Sequence, residues 1–542
     1  MTRQDIRNGI GLLWLILTFC VWTSASYGKK SPSRGQTLVY CAVASPQTFN
    51  PELATDGATF NASSQQIYNR LVKLNNSTMQ IEPSLAQSWQ ISPDGKVITF
   101  HLRKGVKFQK TPYFTPTRDF DADDVIFTFH RMLSAKNPFH DVGGGVYPDF
   151  EAEQMPSLIA RIEKINNLTV RFVLTQPEAP FLADLAMDFA SILSKQYADQ
   201  LIRQHRLADI DSKPVGTGPF IFQSYLRGRL IRYTANPDYF LGKPKIEHLV
   251  FRIVTSPRAR LHDLITGRCQ IDGNLPPDAI DIIRRNPKLK LLASPGLNLS
   301  YLTFNVRKMP FASLKFRKAV YYALNRESYI KAIYDNQAEV AKNPIPPTMW
   351  SFDRKIRDYH YDPEEARKLL KQLGLPKGFK VTLWCPHVAR PYNPNPLKMA
   401  ELIKRDLDKV GIDVNVKTLG WVTFLKKSRA GELPFSLQGW TGDNGDPDNF
   451  LNTLLSCDSI SSGDNRAHWC DRRFSFEVDR ARVTTNVRIR TRFYQRAQQI
   501  FHQQIPWVPI AYSTIFKALR KDVRGYQVSP FGVDYFGSVY YK

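Results

Sequence analysis

The stretch "LAQSWQISPDGKVITFHLRKGVKF", residues 85–108, and the segment "DADDVIFTFHRMLS" that opens at Asp121 decide the fold class. In the first, apolar residues alternate through "VITFHLRKGVKF", which predicts a strand pair with a turn at Lys104–Gly105. The second has an acidic first turn followed by helical apolar spacing. The same two signals recur along the chain. "LTVRFVLTQP" reads as a strand stopped by Pro177, and "HLVFRIV", "LSYLTFNV" and "FKVTLWC" as short β-rich runs. "PLKMAELIKRDLDKVG" has helical periodicity with a glycine stop at Gly411. Strands and helices from both ends of the sequence indicate an α/β protein whose lobes are each built from more than one segment.

At 542 residues the chain is too long for a single core. Its composition is that of a folded protein, 43% hydrophobic, without low-complexity tracts or repeats. The N-terminus has the layout of an export signal. Arg3 and Arg7 precede the apolar run Ile10–Trp22, and Ser24, Ala25 and Ser26 supply small residues for cleavage. That run is too short to span a bilayer comfortably, so residues 1–26 read as a cleaved signal and the mature protein as soluble outside the cytoplasm. The formal net charge of +25 comes from scattered Lys and Arg, with no basic run and no nucleic-acid-binding motif. It describes a basic surface and not a nucleic-acid partner.

Six cysteines are present. Cys457 and Cys470 flank the polar loop "CDSISSGDNRAHWC", which suits a short disulfide-closed excursion in an exported protein. A zinc site with His468 lacks standard ligand spacing and a second pair of ligands. Spacing alone does not pair Cys41 or Cys269, and Cys385 reads as a buried thiol. There is no G-x-S-x-G, H-E-x-x-H or P-loop, and "GTGPF" at 216–220 lacks the third glycine of a dinucleotide loop. These absences point to binding and not to catalysis, with no metal or cofactor.

One motif contradicts the basic balance. "GWTGDNGDPDNF", 439–450, places Asp443, Asp446 and Asp448 within six positions. It fails as an EF-hand, because its glycine precedes Asp446 and no glutamate closes a twelve-residue loop. Asp446 and Asp448, around Pro447, read as turn residues whose side chains cap backbone N–H groups.

The 85–108 and 121–133 stretches, "GTGPF" and "LTFNVRKMPFASLKFRKAVYYALNRE" (302–327) resemble the peptide-binding family of extracytoplasmic solute-binding proteins that serve ABC importers. The similarity runs from about residue 36 to 542. It is greatest towards the dipeptide-binding branch, through "LTQPEAPFLADLAMDFASILS", "PPTMW", "RPYNPN" and the acidic turn itself. A weaker resemblance is to the Sap-type branch that binds antimicrobial peptides, through "AHWC" and "SPFG".

The resemblance implies a two-lobe, hinged fold that closes on its ligand. Residues 36–295 and 514–542 would form lobe I and 296–513 lobe II, with Cys41 paired to Cys269 and Cys457 to Cys470. It implies that Asp443 receives a peptide's α-ammonium and Arg390 its α-carboxylate. Tyr392 and Trp440 would wall the site beside Pro391, and Thr441 and Gly442, with Thr55 from the other lobe, would take the peptide's amide groups. The implied partners are a short peptide and membrane-embedded permease subunits with cytoplasmic ATPases; the protein would be a periplasmic monomer. A haem or other non-peptide carrier, a Sap-type binder and a periplasmic hydrolase remain open alternatives.

Overall fold

The computed structural model describes residues 36–542 apart from 77 and 463. The expected export signal at 1–26, Cys20 included, lies outside the described residues. Among these, no helix is long and apolar enough to cross a membrane.

The 85–108 stretch forms a strand pair, but not across the expected turn. Its strands are Ala86–Ile91 and Val97–Leu102, antiparallel, with Ile91 opposite Ile98. The reversal lies at Ser92–Lys96, where Pro93 and Asp94 precede Gly95 at φ 72° and the Asp94 side chain accepts from the Lys96 N–H at 3.1 Å. Pro-Asp-Gly is the stronger turn chemistry. Gly105 does turn the chain, at φ 78°, but Val106–Phe108 then leave the sheet. Ile98, Phe100 and Leu102 are buried, as the alternation requires. Thr169–Leu174 and Ile159–Asn166 complete this four-stranded antiparallel sheet. Helix Ala122–Leu133 starts at Asp121 with a capping box closed by Asp124, and buries Val125, Phe129 and Met132.

The other readings land close to their elements: strands His248–Ile253, Asn298–Phe304 and Phe379–Pro386, and helix Pro396–Asp408. Gly411, at φ 90°, turns the chain from that helix into strand Ile412–Leu419.

The 14-residue strand Trp507–Arg520 organises the molecule. Its first part pairs antiparallel with Asn298–Phe304, and its last part with Leu289–Pro295 and Ile271–Asp272. Two adjacent segments therefore cross between the halves of one twelve-stranded sheet. The largest apolar core draws on residues from Leu38 to Ile271 and returns to the C-terminal tail at Leu519, Val523, Tyr526, Phe536 and Val539. Two further cores are built from the middle of the chain, between Leu297 and Tyr512. The crossing is tight. A Cβ on Gly296 would come 2.4 Å from Asn298 Nδ2 and 2.8 Å from the Ser513 carbonyl oxygen.

Cys41 is bonded to Cys269, and Cys457 to Cys470, with Cα separations of 5.7 and 4.6 Å. Cys385 is a buried free thiol, pushed up to about 11 by burial and then by Glu401. For protein lacking residues 1–26, thiol titration in denaturant without reductant is expected to count one thiol, and native protein is expected to show none. Five reactive thiols would refute the pairing.

Candidate functional site

A cavity of 520 Å³ lies between the two halves, inside the ~300–1,000 Å³ range of small-ligand sites. Thr55, Arg390, Pro391, Tyr392, Trp440, Thr441, Gly442 and Asp443 all line it. They come from three places in the chain.

Thr55 is exposed just before helix Gly57–Ala62, whose cap is Asp56; the Asp56 carboxylate accepts from the Thr59 N–H at 3.0 Å. Arg390, Pro391 and Tyr392 follow the strand that ends at Pro386. Arg390 and Asn393 exchange backbone hydrogen bonds of 2.9 Å. The loop is tied back by Ser513 Oγ, which donates to the Pro391 carbonyl at 2.9 Å, and by the Tyr334 hydroxyl, which donates to the Tyr392 carbonyl at 2.7 Å. The site is thereby anchored to the strand that crosses between the halves. A Cβ on Gly439 would come 2.1 Å from the Tyr392 ring, so that glycine makes room for the aromatic wall.

Trp440 to Asp443 leave the end of strand Phe435–Thr441. The Asn449 side-chain oxygen accepts from both the Trp440 indole N–H and the Asp443 backbone N–H at 3.0 Å. Asn449 in turn donates to Glu153 at 2.8 Å. Thr441 Oγ1 donates to Asn298 at 2.7 Å. The Gly442 N–H is already given to the Leu297 carbonyl at 2.8 Å, so its backbone can offer a ligand only the carbonyl.

The charges are arranged unevenly. Asp443 is pushed up to about 7 by burial first, and then by the negative charges of Asp188 and Asp464, against a hydrogen bond from Asn449. No cation is among its influences. Glu153, also buried, is pushed up to about 8, and burial with Asp443 drives Asp149 well above the carboxylate range. Asp188 does have a cation, Arg70 at 2.8 Å. In the same cavity Arg390 lies with its guanidinium carbon 3.6 Å from the centroid of the Trp421 ring, a cation–π contact. Its Nε is buried without a hydrogen-bond partner, and burial pulls its pKa below the usual arginine value. Among the described residues neither Asp443 nor Arg390 has an ion-pair partner, although the charge of Asp56 reaches Arg390.

Asp446 caps the Asp448 N–H at 3.0 Å and also forms a buried ion pair with Arg490 at 2.9 Å. Asp448 does not cap a backbone N–H. Its carboxylate accepts from Asn452 and Tyr494 and lies 3.7 Å from Arg482, because helix Asp448–Leu455 packs it inward. Sequence reading also missed Trp421, Asp149, Asp188, Arg429, Asp464 and Arg466 in the cavity wall. Their chemistry appears only when distant segments are brought together.

The profile of bacterial extracellular solute-binding proteins, family 5 Middle, matches residues 80–462. The chain is 45% identical to the Dipeptide-binding protein of Escherichia coli (strain K12), over 98% of each chain. It is 44% identical to Heme-binding protein A of Haemophilus influenzae, over 95% of this chain and 94% of that one. The crystal structure of a dipeptide binding protein from Pseudoalteromonas sp. SM9913 in complex with Met-Leu superposes with a TM-score of 0.88 at 39% identity, covering 94% of this chain and 100% of the other.

Proposed function

The chain belongs to family 5 of the bacterial extracellular solute-binding proteins, a two-lobe family of binders and not of enzymes, and from that premise we propose that it carries dipeptides to an ABC importer. The observation that supports this reading is that one cavity holds a carboxylate, Asp443, and a guanidinium, Arg390, neither of which has an ion-pair partner among the described residues. A dipeptide zwitterion supplies the missing ammonium and carboxylate. Arginine's planar fork meets a carboxylate through two parallel hydrogen bonds, while the carboxylate of Asp443 accepts from the ammonium. Tyr392 and Trp440 cover the apolar parts of the ligand, beside Pro391. Thr55, from across the cavity, and the carbonyls at Thr441 and Gly442 meet its amide groups.

In this reading residues 36–295 with 514–542 form one lobe and 296–513 the other, hinged where the two strands cross. The protein is a periplasmic monomer released from its signal at about residue 26, and its partners are permease subunits with cytoplasmic ATPases. Native mass spectrometry and a thermal melt with a set of dipeptides test it. Ligand at a hundredfold excess over its Kd is expected to add about 2.7 kcal/mol of stability by mass action. A melting temperature indifferent to every dipeptide would refute the reading.

A second reading, haem carriage, draws on the identity to Heme-binding protein A. Added haemin would then give a stoichiometric shift of its Soret band that dipeptides reverse.

A further inference from the structure

Beyond Asp443 and Arg390, the cavity wall holds a second charged group that the peptide backbone does not use. Arg466 is 8% exposed and lines the cavity. One of its terminal nitrogens, Nη2, donates to Asp464 Oδ1 at 2.8 Å, while the other, Nη1, is buried without a hydrogen-bond partner among the described residues. Arg429, on helix Trp421–Arg429, lies 3.6 Å from the same Asp464 oxygen and also lines the cavity. Two guanidiniums therefore share one carboxylate, and a buried donor is left unmet.

Other bonds besides those of Arg466 hold its loop. Asn465 donates to the Ser456 and Trp469 carbonyls at 2.9 and 2.7 Å, and the Cys457–Cys470 disulfide closes the same segment. An unsatisfied guanidinium nitrogen kept in such a place is costly unless something else completes it. Tyr301 and Tyr392 stand near enough to feel its charge, and Tyr392 also feels Arg390. Arg466, Tyr301 and Tyr392 all line the cavity, where the side chains of a dipeptide would lie.

We propose that Arg466, with Asp464 and Arg429, forms a side-chain subsite that selects dipeptides carrying a glutamate or aspartate. This rests on the dipeptide reading above. An acidic side chain accepts from the free Nη1 and balances the second guanidinium, leaving two carboxylates against two arginines. A side-chain amide offers the oxygen without the charge. A lysine side chain meets the excess positive charge and is disfavoured. Burial already draws the Arg466 pKa below its usual value, so an additional anion relieves a charge under strain.

Calorimetric titration of the disulfide-intact protein with Ala-Ala, Ala-Glu, Ala-Gln, Glu-Ala and Gln-Ala tests the subsite. At one of the two positions the acidic peptide is expected to bind about tenfold or more tighter than its amide, the difference commonly made by a hydrogen bond to a charged group. In Arg466→Gln the acid-to-amide ratio is expected to fall to near one, and Arg466→Lys to keep part of it. A ratio of one at both positions in the wild type overturns the subsite even if the variants do not fold, as does an unchanged ratio in Arg466→Gln. If Ala-Ala binds and the ratio is one, the subsite alone falls. If none of the five peptides binds, the dipeptide reading falls, and the subsite with it.

Discussion

N-acetylation of a dipeptide is expected to weaken its binding by about a hundredfold or more, and C-terminal amidation to do the same. An ammonium about 4 Å from a carboxylate gains roughly 4 kcal/mol at an effective dielectric of 20. Removing one member of a buried pair commonly costs about 3–5 kcal/mol, because the other stays desolvated. Asp443 is half-buried in the cavity wall and already pushed up to about 7, burial being the largest cause, with no ion-pair partner among the described residues. Arg390 is its counterpart, buried at Nε without a partner. Asp443→Asn should abolish the discrimination between free and acetylated N-termini while leaving the preference at the carboxylate end. The same variant removes a charge that is held away from water, so the unliganded protein should melt at a higher temperature than the wild type. Length selection has the same origin. An extended chain advances about 3.3–3.6 Å per residue, so two fixed termini leave no room for a long peptide. Titration of wild type and Asp443→Asn with free, acetylated and amidated forms of one dipeptide decides the matter. Equal wild-type affinity for all three would mean that neither residue reads a peptide terminus.

Local signals carried the fold a long way. The alternation of Val97–Leu102 and the acidic start of helix Ala122–Leu133 are written into neighbouring residues, and both elements form where expected. The hairpin turn was misplaced because Lys104–Gly105 is a real turn, but Pro93-Asp94-Gly95 joins the residues that actually pair. The candidate site was legible for a different reason. Apart from Thr55, its residues fall in short runs, 390–392 and 440–443, whose pattern carries the family resemblance. What could not be read is the charge environment. Trp421 lies under Arg390 from 31 positions away, and Asp149 and Asp188 reach Asp443 from the other end of the chain. Likewise, nothing in "DNRAHWC" signals that Arg466 would be left with an unmet nitrogen inside the cavity. Such facts depend on which segments the fold brings together.

Side chains from the two halves also meet outside the cavity lining, and in the hinged reading Arg482→Met is expected to loosen that contact strongly. Arg482 Nε donates to Glu178 at 2.9 Å, its Nη1 donates to Gln154 at 3.0 Å, and its carbonyl accepts from the Ala179 N–H at 2.7 Å. Asp448 lies 3.7 Å away on its own side. Asn444 donates to Asp184 at 2.8 Å and Asn449 donates to Glu153, so the clasp is polar throughout. Glu178 and Asp448 are both buried, and burial first and then neighbouring carboxylates push their pKa values up; Arg482 is the first influence opposing this in each. Methionine keeps much of the volume but leaves both acids without that partner, a cost of about 3–5 kcal/mol. Glu178 belongs to the first core's segment, whereas Arg482 and Asp448 share the other half, so opening the lobes would release Glu178 but leave Asp448 beside position 482. The Glu178 share of the cost therefore falls on the closed state, and the Asp448 share on its own half in either state. Peptide affinity should drop by about tenfold or more, mostly through faster release, and the melting temperature of the unliganded protein should fall as well. The double variant Glu178→Leu, Arg482→Met removes the stranded acid together with its partner and should recover a large part of the loss, since a buried ion pair can be replaced by apolar groups at small cost. Titration and stopped-flow release of one dipeptide from the wild type, the single variant and the double variant separate these effects. A single variant that binds within threefold of the wild type would mean that the clasp does not hold the lobes closed. A double variant as weak as the single one would mean that Arg482 acts by some route other than pairing Glu178.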